Sequence, residues 1–372
     1  MMLTEIATAD DLLIEQTLVD DRIELVKIFE TKAFGDYLNN TASISVVIPS
    51  YNSGQNLIRT IDSLYKSSKQ PFEIIIVDDC SPIATEKLIS QYNIVYVRLK
   101  HNYGPAVARN IGAKISQGKY ILFIDDDIEL EQDTLSLIEK DFNNNPEYSA
   151  VVGLLSHKHP NKDALSLYKN FYMYYSLSNS PESFGCIYTS ITAVKREVFF
   201  EFNGFDESHK RASVEDVDLG QRIVNAGKTL HLNKKLMVVH YKRYSLKSFV
   251  KNEFIRSFDL LKMLFVNKYT KHLVSNKRYL NNSPVTLLTT ILSFITLLIW
   301  PLCFIDSSFV IINAIIILNI FILNYRFILT FYRFNGLFQT ILVPFLIYFD
   351  FSIASLGITS SVLLHFKYLL RQ

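Results

Sequence analysis

The 372-residue chain is 49% hydrophobic, and its 38 Lys and Arg against 36 Asp and Glu leave a formal charge of only +2. That length allows one large domain or two units of different kinds, and the near-neutral charge gives no ground for a nucleic-acid partner. Three widely separated cysteines, Cys80, Cys186 and Cys303, exclude a disulfide framework and a zinc site and point to a reducing cytosol for the polar part.

Residues 1–43 hold nine acids against Arg22, Lys27 and Lys32, with no basic run ahead of an apolar one, so a signal peptide is not expected. Leu12 to Leu18 and Arg22 to Phe29 fit either an amphipathic helix or a hairpin turning at Asp20-Asp21. The segment reads as an accessory extension and carries no assigned chemistry.

From Ile44 the pattern alternates between strand and helix. Ser45 to Ile48 is a buried strand closed by Pro49 and the turn Ser50 to Gly54, with a helix through about Leu64. Glu73 to Val77 is a second strand ending in Asp78-Asp79, and Cys80-Ser81-Pro82 is expected to start the next helix. Ile94 to Val97 is a third strand. The loop His101 to Pro105 leads into a helix over Ala106 to Ser116, which Gly118 ends. A fourth strand, Ile121 to Ile124, runs into Asp125, Asp126 and Asp127. Three adjacent carboxylates at a buried strand end are costly unless a cation or a donor-rich partner offsets them, and hard oxygens one residue apart suit Mg2+ or Mn2+. The plain alternative is an acidic turn capping a helix that begins near Glu129.

Short apolar strands separated by helices indicate an α/β fold with a mostly parallel, Rossmann-like sheet, whose ligands bind beyond the carboxyl ends of the strands. Pro49 to Asn52, Asp78-Asp79 and Asp125 to Asp127 all fall at such ends. Further on, Ala150 to Leu155 and Phe184 to Tyr188 read as strands. Ser213 to Leu219 opens a helix that Gly227 terminates, and Leu236 to His240 is a late strand. Ser213 with Asp216 three residues on is close to a capping box, and acids in a first turn also suit the helix dipole. A lone His240 is more often a structural residue than a ligand.

Between Lys242 and Arg278 ten bases face only Glu253 and Asp259. Leu246, Phe249, Val250, Phe254, Phe258, Leu261 and Phe265 share one helical face, with Lys247, Lys251 and Lys262 at or beyond its edge. That suggests an interfacial helix, or an ordinary core-facing one. Val285 to Ile305 is uncharged and long enough to span a bilayer, and Phe309 to Tyr325 is near the short limit. Leu337 to Phe366, interrupted by Pro344 and bearing Asp350, is expected to be one tilted span or a broken, partly re-entrant pair. Lys277 and Arg278 before the first span, and Arg326 and Arg333 after the second, place the polar domain on the cytoplasmic side and Asp306 on the far side.

Six pieces carry a resemblance across residues 44 to 245: Val-Val-Ile-Pro-Ser-Tyr-Asn (46–52), Ile-Ile-Val-Asp-Asp-Cys-Ser (75–81), Gly-Pro-Ala-Val-Ala-Arg-Asn-Ile-Gly-Ala (104–113), Phe-Ile-Asp-Asp-Asp (123–127), Asn-Gly-Phe-Asp-Glu (203–207) and Glu-Asp-Val-Asp-Leu (215–219). In this order they resemble the family 2 glycosyltransferases of GT-A fold, in their membrane-anchored bacterial form. The resemblance implies a GT-A domain at 44–245, an amphipathic helix and basic linker at 246–283, and a transmembrane helical region at 284–372. It implies that Pro49, Tyr51 and Asp78 hold base and ribose, that Arg109 and Asp126 lie near the nucleotide, and that Asp125 and Asp127 bind a divalent metal with Asp127 the more direct ligand. His240 matches a position that in some members completes the metal site. Asp216 matches the base of an inverting displacement. The implied partners are a nucleotide-sugar donor and a lipid-linked glycan or polyprenyl phosphate acceptor at the inner membrane. The processive Gln-x-x-Arg-Trp motif is missing; the nearest piece, Glu253 to Ser257, lacks its Gln and Trp, so single-sugar addition is expected. Two other classes compete. A nucleotidyltransferase would show a basic Gly-rich loop after the first strand, which Ser50 to Gly54 lacks; a non-catalytic nucleotide-binding scaffold would have less reason to keep Asp125, Asp127 and Asp216 together.

Overall fold

In the computed structural model the described residues are 20–29, 43–83, 85–267, 274–275, 278–279 and 283–369. The candidate helix at Leu12 to Leu18, and Lys277, lie outside them. In chain order the elements are β1 (Ile23–Phe29), β2 (Ile44–Ser50), α1 (Gln55–Tyr65), β3 (Glu73–Asp78), α2 (Glu86–Ile89), β4 (Ile94–Leu99), α3 (Pro105–Ile115), β5 (Tyr120–Ile124), β6 (Ile128–Leu130), α4 (Thr134–Asn144), β7 (Tyr148–Leu155) and α5 (Ala164–Ser178). They continue with β8 (Ser183–Phe184), β9 (Ile191–Lys195), α6 (Arg196–Glu201), α7 (Glu215–Asn225), β10 (Thr229–His240), α8 (Leu246–Asn267) and the two-residue strands β11 (Val274–Ser275) and β12 (Arg278–Tyr279). Last come α9 (Pro284–Ile299), α10 (Ser308–Leu323), α11 (Tyr325–Thr340) and α12 (Val343–Leu369). The chain divides into two units, one of Met1–Gly153, Ile187–Glu215 and Lys235–Val238, the other of Leu154–Cys186, Asp216–Lys234 and Val239–Gln372.

The first unit is built on a mixed sheet in which the strands run in the order β1-β4-β3-β2-β5-β9-β7. Its centre, β4-β3-β2-β5, is parallel. Every residue of β5 is buried, as a strand covered by helices on both faces requires. Ser50 lies opposite Asp78 and Asp78 opposite Arg98, so the carboxyl ends of three strands are level and their polar residues share one rim. Helix α3 packs on this sheet through Gly112, where an added Cβ would overlap Val47 Cγ1. β9 runs antiparallel to both β5 and β7.

Several expectations are revised. Arg22 to Phe29 is not a helix: its Ile23–Phe29 stretch pairs antiparallel with β4, while the other arm of the expected hairpin lies outside the described residues. Arg22 holds this strand by donating to Asp20 and, at 2.5 Å, to Glu207. Cys80-Ser81-Pro82 does not begin a helix: Cys80 adopts φ 63° and the Ser81 N–H donates to Asp78, making a turn, and the short α2 starts only at Glu86. No helix follows Asp125 to Asp127 directly, because Ile128–Leu130 is a strand and α4 begins at Thr134. The capping explanation for the three aspartates therefore loses its helix.

The second unit has an aromatic core in which Tyr168 and Phe171 of α5 pack with Phe249 of α8, Phe327 and Phe331 of α11 and Phe351 of α12. Helix α8 lies along α12: Phe249 stacks on Phe349, and the backbone of Phe254 sits where a Cβ on Gly357 would be. The Phe249 side of α8 is thus covered by protein, while Leu246 is exposed. Lys169 is buried between Glu253 at 2.6 Å and Asp350 at 3.1 Å, a cation shared by two carboxylates. Pro344 follows directly on a break in the C-terminal region, the Ile341-Leu342 turn that separates α11 from α12. It falls in the first turn of α12, where its missing N–H costs nothing, so Val343 onward is one helix. Two helices, Pro284–Phe304 and Val343–Lys367, are long and apolar enough to cross a membrane, and Ser308–Leu323 with Tyr325–Thr340 forms a pair bent by 59°.

Candidate active site

The rim of the parallel strands in the first unit gathers Pro49, Tyr51, Asp78, Arg109 and Asp125 to Asp127. One carboxylate oxygen of Asp125 and one of Asp127 lie within 4.8 Å of each other, close enough for both to ligate one cation. Asp125 is held by two donors: Arg109 Nη2 at 3.0 Å and the Ser190 hydroxyl at 2.6 Å. Arg109 is itself 3% exposed and donates through Nη1 to Glu215 at 2.9 Å. The guanidinium therefore bridges a strand end and the start of α7, and it fixes which way the Asp125 carboxylate faces. Asp126 turns toward the first strand end, accepting from the Tyr51 N–H at 3.3 Å and from the Ser53 hydroxyl. Burial, and next the neighbouring charge of Asp127, push the Asp126 carboxyl up to about 7. Such a concentration of carboxylates fits a divalent cation, since hard oxygen donors converge and one unit of positive charge from Arg109 is already committed to Glu215.

Asp78 is enclosed at the end of β3. It has no exposure, and its oxygens accept from the Ser81 N–H at 2.8 Å, the Tyr96 hydroxyl at 2.7 Å and Arg98 Nη1 at 2.8 Å. These three donors hold the carboxylate at the strand end. Asp79 next to it accepts the N–H groups of Tyr103 and Gly104, at 2.7 and 2.8 Å. Gly104 requires its φ of 96°, and a Cβ there would lie 2.6 Å from the Lys210 carbonyl oxygen. Tyr51, at 53% exposure, presents an open ring beside Asp126.

Two of the expected site residues belong to the second unit. Asp216 lies at the start of α7, and its Oδ1 accepts the Val217 N–H at 2.8 Å. The carboxylate that reaches back to the Ser213 N–H, at 2.8 Å, is that of Glu215. His240 ends β10, buried, with Nδ1 at 2.7 Å from Asn170 Oδ1. Ser190 was absent from the residues the sequence pointed to, and Glu215 was named within its motif without its link to Arg109. Ser190 sits in an unremarked Thr-Ser-Ile-Thr run with no motif around it. Glu215 is adjacent to the Asp that drew attention, and its link to Arg109 spans 106 positions.

Residues 45–201 match the model of Glycosyl transferase family 2. The chain is 39% identical over 97 residues to the putative teichuronic acid biosynthesis glycosyltransferase TuaG of Bacillus subtilis, covering 25% of this chain and 38% of that protein. It is 35% identical over 98 residues to the poly(ribitol-phosphate) beta-N-acetylglucosaminyltransferase TarS of Staphylococcus aureus, covering 24% of this chain and 17% of that one. Both alignments span well under half of the relatives' length. Among solved structures, the mannosyltransferase PcManGT of Pyrobaculum calidifontis, in complex with GDP-Man and Mn2+, aligns with a TM-score of 0.48 and 16% identity over 62% of this chain and 65% of that one.

Proposed function

With a family 2 glycosyltransferase domain across residues 45–201 as the premise, we propose that the protein moves a sugar from a nucleoside-diphosphate donor to a lipid-linked acceptor in cell-surface glycan synthesis. The acceptor is a lipid-linked glycan or polyprenyl phosphate, the reaction inverts the anomeric carbon, and catalysis needs Mg2+ or Mn2+. The observation that carries this reading is the Asp125–Asp127 pair, which lies inside the matched stretch just past β5 with its oxygens in reach of one ion. The names of TuaG and TarS, one a teichuronic acid enzyme and one acting on poly(ribitol-phosphate), support the cell-surface setting. Helices Pro284–Phe304 and Val343–Lys367 support a membrane anchor. In this account it is a multi-pass anchor in the inner membrane, with the catalytic domain on the cytoplasmic side.

Each residue then has a task. Asp127 is the direct ligand, because Asp125 is already oriented by Arg109 and Ser190 and serves as the second oxygen. His240 is the further ligand that the resemblance implies. The bound cation supplies charge neutralisation of the diphosphate leaving group. Tyr51 covers the base face and Pro49 lines the same strand end, while Asp126 keeps the loop Tyr51 to Ser53 in place. Asp216 accepts the proton of the acceptor hydroxyl as that oxygen bonds to the anomeric carbon and the bond to the diphosphate oxygen breaks in line. A panel of nucleotide sugars offered to the purified full chain with Mn2+ tests the reading. Turnover of one member, abolished by EDTA, is expected. No turnover of any member, or consumption of a nucleoside triphosphate with release of pyrophosphate, would replace it with a nucleotidyltransferase.

A further inference from the structure

The loop joining β7 to α5 brings basic side chains to a cavity of about 440 Å3 in the second unit, lined by His157, Lys158, His159, Lys162, Phe334 and Asn335 among others. Among the described residues lining it there is no carboxylate. The loop is clipped in place, not splayed: the Lys158 N–H donates to Ser156 Oγ at 3.1 Å, and Asn161 Nδ2 donates to the Tyr241 carbonyl at 3.2 Å. The His157 ring packs against Phe334 with centroids 4.6 Å apart.

The two imidazoles leave polar atoms over. His159 is 4% exposed, and its Nδ1 is taken up by the Asn161 backbone, 2.9 Å from the carbonyl oxygen and 3.2 Å from the nitrogen. Its Nε2 is buried without a hydrogen-bond partner, and so is His157 Nδ1. Buried polar atoms of this kind cost free energy until something pairs with them. Two lysines, two incompletely paired imidazoles and an amide around one hollow make a site for an anion with several acceptor oxygens. Burial holds both imidazoles below their ordinary range, with the charge of Lys158 adding to the effect at His157, so an anion entering the cavity meets a site it can itself charge.

We propose that this cavity binds the phosphate or diphosphate of the acceptor, with Lys158 and Lys162 countering its charge and His157 and His159 bonding its oxygens. The proposal rests on the acceptor described above being phosphate-bearing. A lipid carrier is one source of that group and free pyrophosphate another, and both present the same chemistry.

Calorimetric titrations on the detergent-solubilised full chain in EDTA, which strips the carboxylate site of cations, distinguish them. The probes are inorganic pyrophosphate and farnesyl diphosphate, each offered to wild type and to a Lys158→Ala/Lys162→Ala variant whose changes lie at exposed positions. Wild type should bind, and the double variant should lose about tenfold or more in affinity, as expected when charge-assisted bonds to a phosphate are removed. Stronger binding of farnesyl diphosphate identifies a lipid headgroup, and equal binding of the two identifies the phosphate alone. Either result supports the site. His159→Gln, checked by its melting curve, should weaken binding in the same direction. No binding by wild type, or equal binding by the double variant, overturns the proposal. A parallel titration with uridine and guanosine diphosphates in Mn2+ should be unaffected by the lysine changes. If wild type binds neither nucleotide, the donor reading fails on its own account; if the lysine variant loses nucleotide, the cavity belongs to the donor and the proposal falls.

Discussion

Arg109→Met offers a direct measure of how the site is held together. The side chain is 4% exposed and bridges that of Glu215, 3% exposed, at 2.9 Å and Asp125 at 3.0 Å. The Asp125 side chain keeps 27% exposure, so water screens much of that half. The loss is dominated by Glu215, a buried carboxylate that would lose its cation and keep the Ser213 N–H. Removing one partner of a buried pair costs about 3–5 kcal/mol, and with the Ser213 N–H retained about 3 kcal/mol is expected. Glu215→Leu should cost less, because Arg109 retains Asp125. Together, Arg109→Met with Glu215→Leu should recover a large part of the single losses, with a coupling of about 2 kcal/mol. Urea unfolding in neutral detergent, followed by circular dichroism, gives all three values. A loss below about 1 kcal/mol for Arg109→Met, or single losses that simply add, would refute the buried bridge.

Asp127→Asn should leave the melting temperature near wild type but abolish most of the Mn2+ enhancement of nucleoside-diphosphate binding, since an amide is a poor ligand for a hard cation; equal enhancement in calorimetry would remove Asp127 from the metal site. Arg22 holds the Asp20 carboxyl down to about 2, and Glu207, despite its burial, is kept low by Arg22 and then Asn110. Depressed carboxyl pKa values mean that their support of β1 is complete above about pH 4 and is lost as pH falls toward about 2. Hydrogen exchange of the Ile23–Phe29 amides should accelerate across that window, and a flat profile would contradict it. Reporter fusions at Asp306 should read as extracytoplasmic and fusions near Arg333 as cytoplasmic; a cytoplasmic signal at Asp306 would sink the proposed hairpin.

The parallel core was legible because its strands are continuous apolar runs, and because polar clusters at Pro49 to Asn52, Asp78-Asp79 and Asp125 to Asp127 mark the same end of each. What escaped is what depends on distant partners. The segment Ile23–Phe29 is half exposed, and its strand character comes from pairing with β4. β9 is five residues long, and its place between β5 and β7 is a matter of tertiary pairing. The bonds from Tyr96 and Arg98 on the neighbouring strand to Asp78 likewise depend on pairing that no local pattern shows. Pro344 reads as an interruption because its position relative to the helix start is invisible without the bend before it. The turn lies at Ile341-Leu342, and a separate kink inside α11 falls at Gly336, whose φ is 80°.

The most direct measurement takes Asp216→Asn through one transfer assay and one melting curve. If Asp216 serves as the general base, turnover should fall by roughly 10²–10⁴-fold while the affinity for the nucleoside diphosphate stays near wild type. Transfer at a near wild-type rate, with stability reduced by about 1 kcal/mol as for a lost helix cap, would contradict the account.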